Sequence, residues 1–254
     1  MRLSPRALAG ALALLLGTAL TTPARSEALD RYLVGRWTFA NGSLQSTPPG
    51  LPLAPKGVGA DQTHRFADGF LTLGAGRLFF CPGLSAERFS GLAGGVTLWA
   101  RMRFDAPPPT PAAMPCFLAL MARAEPGDWG DIVLGAICKG DAADGVPHLG
   151  IYGAAGESRS FGTGPSRMLP VKIGSEMAIA ISFDGATGTS VIWVDGASAV
   201  DRLPSVSALR PFAGLGLGRV KDGAKSAVSF REVRVYSIAM TPEWMGEIAA
   251  DAAP

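Results

Sequence analysis

The stretch Val96 to Phe104 reads V-T-L-W-A-R-M-R-F, an alternation regular enough to assign two faces to one β-strand. Val96, Leu98, Ala100, Met102 and Phe104 form the apolar face, leaving Thr97, Trp99, Arg101 and Arg103 on the other. An indole flanked by two guanidinium groups on an open sheet has the chemistry to hold a sugar. The indole takes the C–H side of a pyranose ring, and the guanidinium groups pair with the planar oxyanions of sugar carboxylates or sulfates. The competing reading is structural, with Trp99 covered by a Pro-rich loop and both arginines paired with neighbouring acids. Trp129, near the tip of a turn-like segment, is a second binding candidate, because a loop-tip aromatic has no evident core role.

Catalytic patterns are sparse. The two histidines, His64 and His148, lie far apart without ligand-spaced partners, which argues against zinc. There is no G-x-S-x-G elbow, and no Gly-rich loop opens a helix, so acyl transfer and nucleotide binding have no anchor. Glycoside hydrolysis needs two carboxylates at a defined separation. The nearest set, Glu125, Asp128 and Asp131, falls on an expected turn where acids are ordinary. His148 and Tyr152 share a strand face and Arg159 follows, which keeps a polysaccharide lyase as an alternative.

These residues sit on short runs rich in β-branched and aromatic types. Asp-Gly pairs at Asp68, Asp144, Asp184, Asp195 and Asp222 punctuate the runs, each a signal for a turn between antiparallel strands. No stretch between them keeps a helical period, so a parallel sheet with crossover helices is disfavoured. The pattern predicts an all-β antiparallel sandwich. Two Pro-rich connections, Ser46 to Gly57 and Ala106 to Pro115, read as stiff surface loops. One helix is expected, near the C-terminus, with Thr241 as N-cap, Pro242 in the first turn, and Trp244, Met245 and Ile248 packed against the sandwich edge.

Residues 117 to 139 permit a sharper inference. If residue numbers across the hairpin sum to 254, Leu120 faces Leu134, Arg123 faces Asp131 and Cys116 faces Cys138. In an oxidising compartment Cys116 and Cys138 are then expected to form a disulfide, worth roughly 3 kcal/mol on the chain-entropy model. The other reading is three buried free thiols. Cys81 is left over in either case.

The compartment is read from the start of the chain. A basic segment, an apolar run from Ala7 to Leu20 and the small residues Ser26 and Ala28 have the form of a secretory signal peptide over residues 1–28. The product expected is a secreted or periplasmic domain over residues 29–254, without a membrane span. The 254-residue chain carries 17% charged residues and a formal charge of +2, and the leader accounts for that excess. A neutral remainder excludes a strongly basic nucleic-acid binder, so no nucleic-acid partner is expected.

Five segments, in order, resemble one known family. Leu33-Val-Gly-Arg-Trp-Thr-Phe39 is similar to the opening strand of laminin-G-like domains of the concanavalin A-like lectin and glucanase superfamily, and Phe66-Ala-Asp-Gly69 to the motif after it. Val96-Thr-Leu98 follows, then the hairpin Ile181-Ser-Phe-Asp-Gly185 with Val191-Ile-Trp-Val-Asp-Gly196. The closing strand and helix are resembled by Phe230 to Tyr236 and Met240-Thr-Pro-Glu243. The resemblance implies a concanavalin A-like jelly roll and a non-catalytic module binding a glycan or glycoconjugate. The alternatives are a polysaccharide-active enzyme on the same fold and an envelope protein-interaction or adhesion domain. It also implies calcium as a possible ligand, should Asp128, Asp131 or Asp68 converge at the rim. Arg231 stands where the family commonly has an acid, which weakens that implication.

Overall fold

The structure, a computed structural model, describes residues 28–57, 63–74, 76–85, 88–89, 95–108, 115–124, 131–140, 146–155, 158–159, 168–202, 211–218, 220 and 227–252. The sandwich lies within the compact unit Tyr32–Pro254. All the predicted leader before Ala28 is outside the described residues, as are Asp128, Trp129, Glu125 and the Asp-Gly pairs at Asp144 and Asp222.

Sixteen strands are described: β1 Leu33–Thr38, β2 Ala54–Gly57, β3 His64–Ala67, β4 Phe70–Leu73, β5 Arg77–Cys81, β6 Val96–Phe104, β7 Cys116–Met121, β8 Ile132–Lys139, β9 His148–Ala155, β10 Ser158–Arg159, β11 Leu169–Pro170, β12 Met177–Asp184, β13 Thr189–Val194, β14 Ala197–Arg202, β15 Gly214–Gly218 and β16 Val228–Tyr236. One helix, α1, spans Pro242–Asp251. The first sheet runs β14-β13-β12-β6-β16-β4-β3, with β1 also paired to β16, and the second runs β10-β9-β8-β7-β15-β5-β2, with β11 also paired to β9. The described pairings are antiparallel, and the two sheets enclose the core of a jelly-roll sandwich. Val96, Leu98, Ala100, Met102 and Phe104 all point into that core, as their alternation requires.

Asp-Gly turns set the hairpins beside the first sheet. Asp195 and Gly196 both adopt positive φ, 46° and 97°, in the two-residue turn between β13 and β14, a backbone that Asp tolerates and Gly prefers. Asp68 and Gly69 make the equivalent turn between β3 and β4.

Two expectations about connections need correction. The Pro-rich segment 46–57 is more than a surface loop, because Trp37 Nε1 donates to the Leu51 carbonyl (2.8 Å) and Leu51 and Leu53 are buried. Its end forms β2, an edge strand where Pro55 costs no ladder bond on the open side. The helix α1 does not pack at the sandwich edge; it lies across the outer face of the first sheet.

The Cys116–Cys138 disulfide is also corrected. Leu120 does oppose Leu134, and Arg123 Nη2 lies 2.6 Å from Asp131 Oδ2. The register shifts between Cys116 and Leu118, however, so Cys116 opposes Ile137. Such a bulge re-aims side chains. Cys138 enters the core between the sheets, whereas Cys116 joins Ile132 and Ile137 on the opposite face, and the three cysteines are free. Burial pushes the Cys138 thiol up to about 12 and the Cys116 thiol higher still.

Candidate functional site

The outer face of β6 carries the predicted binding residues, and the register shows what meets them. Across the first sheet Trp99 pairs with Ala180 of β12 and Arg234 of β16, Ala180 pairs with Trp193 of β13, and Arg234 pairs with Arg36 of β1. The next row places Arg101 between Ala178 and Glu232. This face is crossed by the chain that follows β16. Thr97 Oγ1 lies 2.7 Å from the Ile238 carbonyl, and the Met240 N–H donates to both Thr97 and Ser182 hydroxyls at 3.0 Å. On the other side of Trp99, Arg101 Nη2 donates to the Ala249 carbonyl of α1 at 2.9 Å. Met245 and Ile248 are the buried positions of α1.

Trp99 is therefore fully buried, not an open stacking platform, with the Arg234 guanidinium 5.3 Å from its ring centroid. The cover comes from α1 and the chain leading to it. Both predicted arginines are engaged as well. Arg103 Nε donates to Asp105 (2.7 Å) and its guanidinium lies 5.0 Å from the Phe70 ring centroid. Arg101 binds the helix carbonyl and sits 3.8 Å from Glu176. Beneath the helix, Arg234 and Glu232 are both buried and joined at 2.7 Å. Burial alone would lower the pKa of Arg234, but hydrogen bonds and charge from Glu232 and, to a smaller extent, Tyr236 together raise the value.

A cleft of about 640 Å³ opens beside this cover, between the second half of α1 and the β12–β13 side of the sheet. Its lining is largely apolar: Ala178 and Met177 of β12, Trp193 of β13, and Gly246, Ala249 and Ala250 of α1. Polar groups stand around it. Glu176 precedes Met177, and Asp195 sits in the β13–β14 turn, its Oδ1 accepting the Ala178 N–H at 2.8 Å. Arg101 forms the third side. Glu176 gives one carboxylate oxygen to Arg231 Nε (2.8 Å) and the other to Arg231 Nη2 (3.0 Å). Among the described residues, Arg101 is the predicted binding residue that lines this cleft; Trp129 lies outside them. Sequence reasoning missed Glu176, Ala178, Trp193, Asp195 and Gly246 as site residues; Asp195-Gly196 was visible only as a turn signal.

Of the acids considered for calcium, Asp128 lies outside the described residues. Asp131 holds Arg123, Asp68 shapes a turn on the other sheet, and among the described residues no three His, Cys, Asp or Glu side chains gather. His148 is engaged where β9 begins, its Nδ1 2.6 Å from the Val146 carbonyl.

No protein-family model and no curated protein matches the chain. Solved structures do. A structure of botulinum neurotoxin type C, whose cell entry is dependent upon interaction with two ganglioside molecules, aligns with a TM-score of 0.63 at 6% identity, covering 90% of this chain and 53% of its own. The sialidase of Trypanosoma rangeli aligns at 0.59 and 16% identity, covering 87% and 33%. Domain 4 of AbnA, an extracellular GH43 arabinanase from Geobacillus stearothermophilus solved with arabinotriose, aligns at 0.54 and 18%, covering 85% and 98%. The chain thus spans about half the length of the toxin chain. At these identities the likeness establishes the β-sandwich fold.

Proposed function

We propose that the chain is an exported, non-catalytic recognition module of the laminin-G-like kind, and that it binds a glycan or glycoconjugate in the cleft between α1 and β12–β13. The observation that carries this reading is the cleft itself: an apolar lining that includes Ala178, Trp193 and Gly246 for the C–H face of a sugar, flanked by carboxylates and a guanidinium that exchange hydrogen bonds with hydroxyls. Support comes from the company the fold keeps, since ganglioside and arabinotriose are named with two of the similar structures. Export rests on the form of residues 1–28.

Two carboxylates in one cleft also raise hydrolysis as a second reading. Glu176 disfavours it, because both its oxygens are held by Arg231 and neither is free to deliver a proton to a leaving group. A broad protein-binding face has less support. Among the described residues the exposed large hydrophobic side chains are Phe66 and Val200, on opposite edge strands of the first sheet.

The test is a titration of the protein and its Gly246→Leu variant with a panel of oligosaccharides. A Cβ at Gly246 meets nothing nearer than Trp193 at 3.9 Å, so the added side chain enters open cleft without displacing the fold. Affinity is expected to fall at least about tenfold with a melting temperature no lower than that of the parent. Equal affinity would remove the cleft as the site, and release of reducing ends that is lost in Asp195→Asn would establish a hydrolase instead.

A further inference from the structure

We propose that the cleft selects saccharides bearing a free amino group over those bearing carboxylate or sulfate; the inference rests on the glycan reading above and names its ligand class. The unpaired outer arginines of the sequence pattern would favour oxyanions. In the folded chain those cations are drawn into contacts with the protein itself. Arg101 donates to the Ala249 carbonyl and lies near Glu176, Arg103 is bound to Asp105, and Arg231 takes both oxygens of Glu176.

The charged group left open at the cleft mouth is a carboxylate. Asp195 is exposed at the cleft mouth, and the Ala178 N–H bonds to its Oδ1. Opposite it stand Ala249 and Ala250 in the last turn of α1, where backbone carbonyls concentrate the negative end of the helix dipole. That turn carries no basic residue of its own; Arg101 from β6 donates to the Ala249 carbonyl, and Arg234 Nη1 lies 3.7 Å from Asp251. An ammonium group on a sugar ring seated over Ala178 meets the open Asp195 oxygen on one side and the helix end on the other. A uronate or sulfate there faces both, while Arg101 Nη2 is turned to the Ala249 carbonyl. The geometry is therefore a donor-seeking cleft, and the ring's hydroxyls are read as donors too.

The experiment compares three probes by calorimetric titration near pH 6, where a sugar amine is protonated: a glucosamine tetrasaccharide, its fully N-acetylated counterpart and a galacturonate tetrasaccharide. The same titrations are run on Asp195→Asn. Asn tolerates the positive φ at this turn and keeps an oxygen for the Ala178 N–H, so the substitution removes charge and little else. The amine is expected to bind about fivefold more tightly than the N-acetylated probe, the size of an exposed ammonium–carboxylate pair, with the galacturonate weakest. Asp195→Asn is expected to erase the amine preference and leave the N-acetylated affinity in place. Equal binding of amine and N-acetylated probes, galacturonate binding as tight as either, or a preference that survives Asp195→Asn overturns the proposal while the glycan reading stands. No binding of any of the three overturns both.

Discussion

The two sheets of this sandwich treat their outer faces in opposite ways. The second sheet turns Leu78, Phe80, Cys116, Ala119, Met121, Ile132 and Ile137 outward, and these are all buried. Backbone proximity is part of that packing: a Cβ at Gly214 of β15 would overlap the Phe80 ring and the Cys81 carbonyl, and one at Gly216 would overlap the Met121 sulfur. The first sheet turns out Thr97, Ser182, Arg101, Arg234 and Glu232, and buries much of this under a single helix held by hydrogen bonds and ion pairs. An apolar face satisfied by packing leaves little for a polar ligand. A polar face covered by one short helix leaves a seam along the helix, and the cleft is that seam.

The comparison is broken most severely at Gly214. Gly214→Val is expected to cost more than about 3 kcal/mol, because the obstructing Cys81 carbonyl is backbone and cannot yield; loss of soluble, cooperatively melting protein checks this. Gly216→Ala meets the flexible end of Met121 and is expected to be milder in the same assay. On the first sheet the equivalent injury is electrostatic. Glu232→Leu leaves Arg234 and Arg36 without their shared carboxylate and is expected to lose about 3–4 kcal/mol in urea unfolding. The double variant Glu232→Leu with Arg234→Met is expected to recover much of that loss, since no buried charge is then orphaned.

The thiols give a pH test that favours neither face. Both Cys116 and Cys138 have pKa values raised by burial, one on each side of the second sheet. Their contribution is complete below about pH 9, where an unfolded thiol also stays protonated. It declines as pH rises toward 12, by about 1.4 kcal/mol per pH unit for each thiol. Reductant is expected to leave the melting temperature unchanged, and native protein at neutral pH is expected to resist thiol alkylation; a reductant-sensitive melt would restore the disulfide. The smallest effect belongs to the helix. Gly246→Ala is expected to stabilise by about 0.5–1 kcal/mol, because the site has room for a methyl group and Gly is a poor helix former.

Much of the sandwich was legible because its central strands carry strict alternation. The expected span Val96 to Phe104 is the observed β6 residue for residue, and its apolar face is the core face. Strands β2, β3, β10, β11 and β14 were missed, being short or marginal strands rich in Pro, small or exposed residues, where burial imposes no pattern. The cysteine pairing failed for a related reason: residue spacing reports mean register, while a bulge next to Cys116 is decided by tertiary packing. The site was the least legible part. Alternation showed that Trp99 faces away from the core, but only the placement of α1 shows that outward is still buried. The cleft joins residues 101, 176, 195 and 246, a combination without local signature.

The central claim, recognition along the helix seam of the first sheet, is tested most directly by amide chemical-shift mapping as a binding oligosaccharide is titrated into isotopically labelled protein. The account predicts the largest shifts at Ala178, Asp195, Gly196 and Gly246, with the strands of the second sheet unmoved. Shifts centred on β7, β8 and β15, with the seam silent, would contradict it.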